Sequence, residues 1–289
     1  MGYLVAITVL WAFSFSLIGV YLAGQVDSYF SVMSRIVLAA LLFLPLLRPR
    51  RLRGRQRLVL MGLGAVQLGV MYIFFYQSFL LLSVPEVLLF TVLTPLYITL
   101  LDDLMFRRFS PFHLVTAAMA VLGAAVIRYR GLDGDYWLGF LVVQGANFCF
   151  ALGQVGYRRF SAGLPDELPR FSVFGWFYLG AAIVALPAFL WWGDATALPA
   201  TPLQWGVLIW LGLVASGVGY FLWNIGATRV DAGSLAVMNN ALVPAGLLVN
   251  LLIWNHDADL LRLTLGGLII LASLLVNEWW QRRRAPHSA

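Results

Sequence analysis

Arg35 is the only basic residue deep inside an apolar stretch of this chain. A guanidinium is expensive to bury there, so it is a functional candidate by default. Its fork can hold a carboxylate through two parallel bonds, or it can tie its own segment to backbone carbonyls or to an acid. Other apolar stretches carry hydrogen-bonding side chains, Ser14, Asn147, Asn239 and Asn240, and large aromatics, Trp11, Phe15, Tyr72, Tyr97, Trp176, Tyr178, Tyr220 and Trp223. A cation, amides, hydroxyls and aromatic walls are what a cavity for a small polar organic molecule needs. Each residue also has a packing role open to it. Polar side chains bond across neighbouring membrane helices, and Asn239 and Asn240 are adjacent, so they point about 100° apart on a helix.

Two acids and two prolines complete the set. Glu86 opens an apolar stretch, where it suits a helix N-terminus, a proton-coupling or gating role, or a pairing with Arg35. Asp102, with Asp103 and beside Arg107 and Arg108, reads as a surface charge cluster or an inner gate. Pro95 and Pro244 fall inside apolar stretches, where each removes a backbone bond and bends a helix; they read as paired hinges.

Several chemistries are excluded. All 19 basic residues are arginine, so there is no lysine for a Schiff base or a P-loop. The single cysteine, Cys149, has no partner for an internal disulfide, and no Cys/His cluster suggests a metal. His113, His256 and His287 lie at the ends of apolar stretches or in the tail, and neither HExxH nor GxSxG occurs.

The elements that position these residues follow from composition. At 61% hydrophobic and 11% charged, with a mean hydropathy of +0.86, the chain has too few charges to cover a soluble globule. A helix crosses a bilayer with about 20 apolar residues, and ten stretches qualify: 2–21, 29–47, 58–82, 85–105, 112–127, 136–156, 171–192, 204–227, 232–254 and 263–280. With the N-terminus in the cytoplasm, the connecting segments inside hold the run 48–57 and Arg107, Arg108, Arg158, Arg159, Arg170, Arg229, Arg282, Arg283 and Arg284. Those outside hold only Arg128, Arg130 and Arg262. Basic residues mark the cytoplasmic side, so both termini are expected there, and the charge reads as a topology signal instead of a nucleic-acid surface. Trp191, Trp192, Trp279 and Trp280 read as interfacial belt.

The halves 1–130 and 131–289 repeat each other. Ala39-Ala40 and Leu44-Pro45 match Ala181-Ala182 and Leu186-Pro187; Gly69-Val70-Met71-Tyr72 matches Gly217-Val218-Gly219-Tyr220; Pro95 matches Pro244. Each half has five spans, an odd number, so the second enters the membrane from the opposite side. Such inverted repeats are the architecture of many secondary transporters, with the substrate near the midplane between them.

Trp11-Ala12-Phe13-Ser14, Arg35, the two prolines, Leu122-Gly123-Ala124 and Gly266-Gly267-Leu268 resemble the drug/metabolite transporter superfamily in its ten-span form with two EamA-type repeats. Longer segments are similar to the YigM-type family of bacterial inner-membrane biotin transporters. They are 26–30, 67–72, 89–97, 176–180, Val230-Asp231-Ala232-Gly233, Met238-Asn239-Asn240 and Val243-Pro244-Ala245-Gly246. The resemblance implies an all-α membrane protein of ten helices in two inverted five-helix EamA-type repeats. It implies a carrier that imports biotin across a bacterial inner membrane by alternating access, without an ATPase subunit and without a cofactor. The partners are then the vitamin and the lipid bilayer; monomer and homodimer stay open. Biotin has a carboxylate, a ureido ring and an apolar body, which Arg35, the amides and the aromatics can serve. The alternatives are an exporter of an amino acid or other metabolite on the same fold, and, more remotely, a membrane-embedded enzyme or a receptor.

Overall fold

A computed structural model describes residues 2–48, 52–105, 134–164, 168–230, 232–254 and 259–284, with isolated positions between 115 and 126. Most of the expected span 112–127, together with Arg107, Arg108, Arg128, Arg130 and Asp231, lies outside the described residues. So do the side chains of Asp102 and Asp103.

Among the described residues the chain is helical throughout. We number the helices α1 (Gly2–Tyr21), α2 (Ser28–Phe43), α3 (Gly54–Leu81), α4 (Val84–Thr91), α5 (Thr94–Met105), α6 (Gly134–Ala162), α7 (Arg170–Trp192), α8 (Pro202–Ala227), α9 (Ala232–Ile253) and α10 (Leu260–Arg284). Six of them, α1, α3, α6, α7, α8 and α2 with its last 3₁₀ turn (Ser28–Leu46), are long and apolar enough to cross a membrane. Their outer faces carry bare apolar side chains, among them Leu58, Leu190, Trp191 and Trp192. A soluble protein does not expose so continuous an apolar surface, so the chain is a multi-pass membrane protein.

Local chemistry starts the helices. Asp27 accepts from the Phe30 amide (2.7 Å) at the head of α2. The Glu86 carboxylate accepts from the Ser83 amide and hydroxyl, both at 2.8 Å, at the head of α4. Thr201 and Gln204 form a capping box on α8, which satisfies amides that the first helical turn leaves without partners. Inside the membrane, α1 turns Leu4, Ile7, Trp11, Phe15 and Ile18 inward, three and four apart, while Val5, Val9 and Phe13 face out. Small residues bring backbones together: a methyl on Gly64 would run into the Phe177 backbone, and one on Gly180 into the Met61 backbone. Close crossings of this kind are the usual means of packing helices in lipid.

Two interruptions matter for the site. α3 winds as a π-helix over Ala65–Val70, and α8 does so over Trp210–Gly219. A π-turn inserts a residue and shifts the facing of everything beyond it. The π segments end directly before Met71-Tyr72 and before Tyr220. The apolar stretch at 85–105 is also not one helix. It breaks at Val92–Leu93, and Thr94 and Pro95 open α5. Pro244, by contrast, lies within an unbroken α9 with its ring on the outer face. The two prolines, expected as a matched pair, therefore differ in local structure.

Candidate functional site

A cavity opens between α1, α2, α3, α4, α5, α6, α8 and α9. It is lined by Trp11, Ser14, Phe15, Ile18, Arg35, Met71, Tyr72, Phe75, Thr91, Thr94, Ala146, Asn147, Phe150, Tyr220, Trp223, Asn239 and Leu242. Its volume of about 90 Å³ is several times the ~10–15 Å³ that one water needs.

Arg35 forms its charged wall. The side chain is 3% exposed. Nε donates to Ser216 Oγ at 3.0 Å, one terminal nitrogen to the Tyr76 hydroxyl at 3.1 Å, and the other to the Tyr72 hydroxyl at 3.1 Å. Tyr72 and Ser216 are themselves joined at 2.8 Å, and the guanidinium carbon lies 4.3 Å from the Tyr72 ring centroid. A guanidinium has five N–H donors; three are used here, so two remain. Every described partner is a neutral hydroxyl or an aromatic face, and no carboxylate of the described residues bonds it. Glu86, one sequence-level candidate for that pairing, is bonded to Ser83 at the head of its own helix. The neutral cradle fixes the fork without neutralising it, which favours an anion from the cavity.

The π segment of α8 builds the rest of this wall. Carbonyls that a π-turn releases from the regular ladder need other donors. Trp11 Nε1 donates to Ala215 O at 3.0 Å, and the Tyr178 hydroxyl reaches Ser216 O at 2.5 Å and Gly217 O at 2.8 Å. From Arg35 the aromatics continue in a row. Tyr72 meets Tyr220 at 5.8 Å, Tyr220 meets Trp11 at 4.9 Å, and Trp11 meets Trp223 at 4.9 Å between ring centroids. On the facing side Asn147 donates to Phe90 O at 2.8 Å and receives Thr94 Oγ1 at 3.3 Å. Asn239 donates to Leu235 O at 3.1 Å and to Gln154 Oε1 at 3.4 Å.

The structure thus brings together Trp11, Ser14, Phe15, Arg35, Tyr72, Asn147, Tyr220, Trp223 and Asn239 of the residues singled out by sequence. Four others do not line the cavity. Tyr178 is fully buried behind it, its hydroxyl committed to the π segment and its ring against Phe43 and Phe174. Trp176 lies under the Arg57 guanidinium, 5.3 Å away. Tyr97 packs edge-on against Phe148 at 6.1 Å, one turn beyond Thr94 on α5, while Thr91 and Thr94 line the cavity. Asn240 is one position on from Asn239 and is only half-buried.

Sequence reasoning missed the other lining residues, Ile18, Met71, Phe75, Thr91, Thr94, Ala146, Phe150 and Leu242. For Phe150 a signal was present: Phe148-Cys149-Phe150-Ala151-Leu152 in α6 echoes Phe13-Ser14-Phe15-Ser16-Leu17 in α1. Phe15 and Phe150 hold equal places in the two runs, and both line the cavity.

The chain matches the EamA-like transporter family twice, over residues 1–129 and 137–278. It is similar to the probable biotin transporter of Pseudomonas aeruginosa, with 58% identity over 98% of this chain and 99% of that protein. It is 51% identical to the biotin transporter of Escherichia coli K12, over 100% of this chain and 96% of that one. A more distant relative is the aromatic amino acid exporter YddG of Ancylobacter novellus, 30% identical over 59% of each chain. A solved crystal structure shares the fold, with a TM-score of 0.63 at 19% identity over 98% of this chain and 96% of that one. With family matches covering both halves and a cavity among its helices, the chain belongs to the EamA-like transporter family.

Proposed function

We propose that this chain imports biotin across the bacterial inner membrane as a secondary carrier working by alternating access. The observation that carries the reading is Arg35. It is a buried guanidinium in a neutral cradle, on the wall of a cavity, with two donors left over. A monocarboxylate with an apolar body fits that wall and the row of aromatics beside it. Full-length relatives at 51–58% identity are named for biotin, which narrows the anion to this vitamin.

The proposed frame has ten spans in two inverted five-span repeats, 1–130 and 131–289, with both termini in the cytoplasm. The family matches at 1–129 and 137–278 support it. So do the paired π segments before Tyr72 and Tyr220, and the paired Phe15 and Phe150. Within that frame α9 is bonded at two levels. Asn250 donates to Ser16 Oγ of α1 at 3.0 Å, and Asn239 holds Gln154 of α6. Rocking one half against the other would loosen one contact while keeping the other.

Importing a monoanion against ~100 mV, inside negative, costs ~2.3 kcal/mol. Accumulation then needs either a proton entering with the vitamin, for which Glu86 and Asp102 are the candidate carriers, or consumption of biotin inside the cell. The test is uptake of labelled biotin at nanomolar concentration by a strain lacking its own carrier, expressing this chain or its Arg35→Ala variant at matched membrane levels. Saturable uptake by the parent and its loss in the variant are expected. Parent protein that inserts but takes up no biotin overturns the cargo, and export of an aromatic amino acid, as in the YddG relative, becomes the reading.

A further inference from the structure

Trp223 is 1% exposed and lines the cavity, yet its indole Nε1 has no hydrogen-bond partner among the described residues. An indole nitrogen is a donor only, and leaving one unmet in a membrane interior costs the full desolvation of that group. The other cavity tryptophan, Trp11, spends its N–H on Ala215 O. The donor of Trp223 is therefore unspent; it is closed off from the cavity in this state and meets a cargo only when the walls part to admit one.

Its position says which part of the cargo it meets. Ser216, Tyr220 and Trp223 are spaced four and three apart on α8. Ser216 holds Arg35, Tyr220 carries the aromatic row, and Trp223 ends it. Seven helical residues rise about 10 Å, close to the reach of an extended five-carbon acid with a fused two-ring head. A second polar group stands at the same level. Gly226 lies against Leu4 and Gly219 against Trp11, so α8 runs antiparallel to α1. α3 runs parallel to α1, with Phe15 on Phe75 and Gly19 beside Phe79. α6 opposes α3, with Gly145 at Phe74 and Gly153 at Gln67. Hence α6 and α8 run the same way. Phe150 meets Tyr220 at 6.0 Å, which puts Gln154, one turn on, level with Trp223. Gln154 accepts from Asn239, whose Nδ2 is thereby occupied while Oδ1 still offers an acceptor.

We infer that Trp223 and Asn239 read the ureido head of the cargo: Trp223 Nε1 donates to the ureido oxygen, and Asn239 Oδ1 accepts a ureido N–H. Gln154 is the positioning residue that holds Asn239. The assignment rests on the biotin reading and adds an orientation, with the carboxylate at Arg35 and the rings two turns of α8 away.

The experiment is competition against labelled biotin on purified full-length protein in lipid nanodiscs. The competitors are biotin, its analogue with sulfur in place of the ureido oxygen, an analogue N-methylated on the ureido ring, and biotin carboxamide. The parent should prefer the oxygen compound by about tenfold, the worth of one good hydrogen bond. Trp223→Phe keeps an aromatic ring, a smaller one, and removes the donor; it should bind the oxygen and sulfur compounds alike while still rejecting the carboxamide as the parent does. Asn239→Leu, of similar shape, should lose the parent's rejection of an N-methylated ureido ring, and it serves as the second variant if the first does not fold. Retention of the oxygen preference by Trp223→Phe, or of the N-methyl rejection by Asn239→Leu, overturns the assignment while leaving biotin as cargo. A folded parent that binds no biotin overturns the cargo reading and this assignment with it.

Discussion

Tyr72 and Tyr220 meet edge to face, ring centroids 5.8 Å apart and planes at 89°, and each follows within two residues the end of a π-helical segment. The contact joins the two family-matched halves at the cavity wall. Tyr72 also shares Arg35 with Ser216 of α8. The charged wall is thus assembled across the contact, from α2 and α3 on one side and α8 on the other.

Tyr72→Phe tests that assembly. The ring and its contacts to Tyr220 stay, but the bonds to Arg35 and Ser216 go. Biotin affinity should fall about tenfold, and stability by about 1–2 kcal/mol. Ser216→Ala should do much the same, and the double variant should cost less than the two single losses together, because the groups act as one network. Titration of binding and thermal melts in detergent measure both; strict additivity would separate the two groups.

Tyr178→Phe probes the π segment without touching the cavity. It leaves Ser216 O and Gly217 O short of a donor, at a cost of about 1–3 kcal/mol for buried acceptors. The melting temperature should drop while the biotin affinity of the folded fraction changes little. An affinity loss as large as that of Tyr72→Phe would place Tyr178 in contact with the cargo.

Deleting one residue from 65–70 takes out the residue that the π-turn accommodates, so α3 closes into a regular α-helix with Tyr72 still facing Arg35; adding one residue there instead swings Tyr72 about 100° out of register. Both chains should insert into the membrane, since hydropathy is unchanged; uptake should survive the deletion and vanish with the addition. Equal loss in both would sink the idea that the π-turn aims Tyr72.

Gly180→Val drives a branched side chain into the Met61 backbone, and Gly64→Ala a methyl into the Phe177 backbone. Both should reduce the yield of folded protein sharply, because neither backbone can yield without separating α3 from α7. Gly62→Ala, which points into open space, is the control and should express like the parent. Equal yields for all three variants would contradict this helix crossing.

Glu86→Gln addresses the driving force. The carboxylate is bonded to Ser83, and a cap of this kind is worth about 0.5–2 kcal/mol. If the bond only starts α4, the variant melts somewhat earlier and the pH profile of uptake stays as it was; this is the outcome we expect. A flattened profile would make Glu86 the proton carrier.

Much of this protein is decided by short-range properties of its sequence. Whether a stretch enters lipid depends on about twenty consecutive side chains, so the long helices stand within a few residues of where hydropathy puts them. Whether a polar residue at that depth is exceptional depends on its type, so Arg35, Asn147 and Asn239 are visible at once. The paired tyrosines are visible through internal similarity. Which side chain faces the cavity is another matter. A regular helical period assigns facing only while the helix stays regular, and here it does not. The π-turns re-aim Tyr72 and Tyr220, Thr91 and Thr94 line the cavity on either side of a break at Val92–Leu93 that hydropathy does not show, and Tyr178 is drawn to carbonyls that exist as acceptors only because α8 is π-wound. Those irregularities are held by partners up to 204 residues away, as Trp11 is from Ala215, so only the packed tertiary structure decides them.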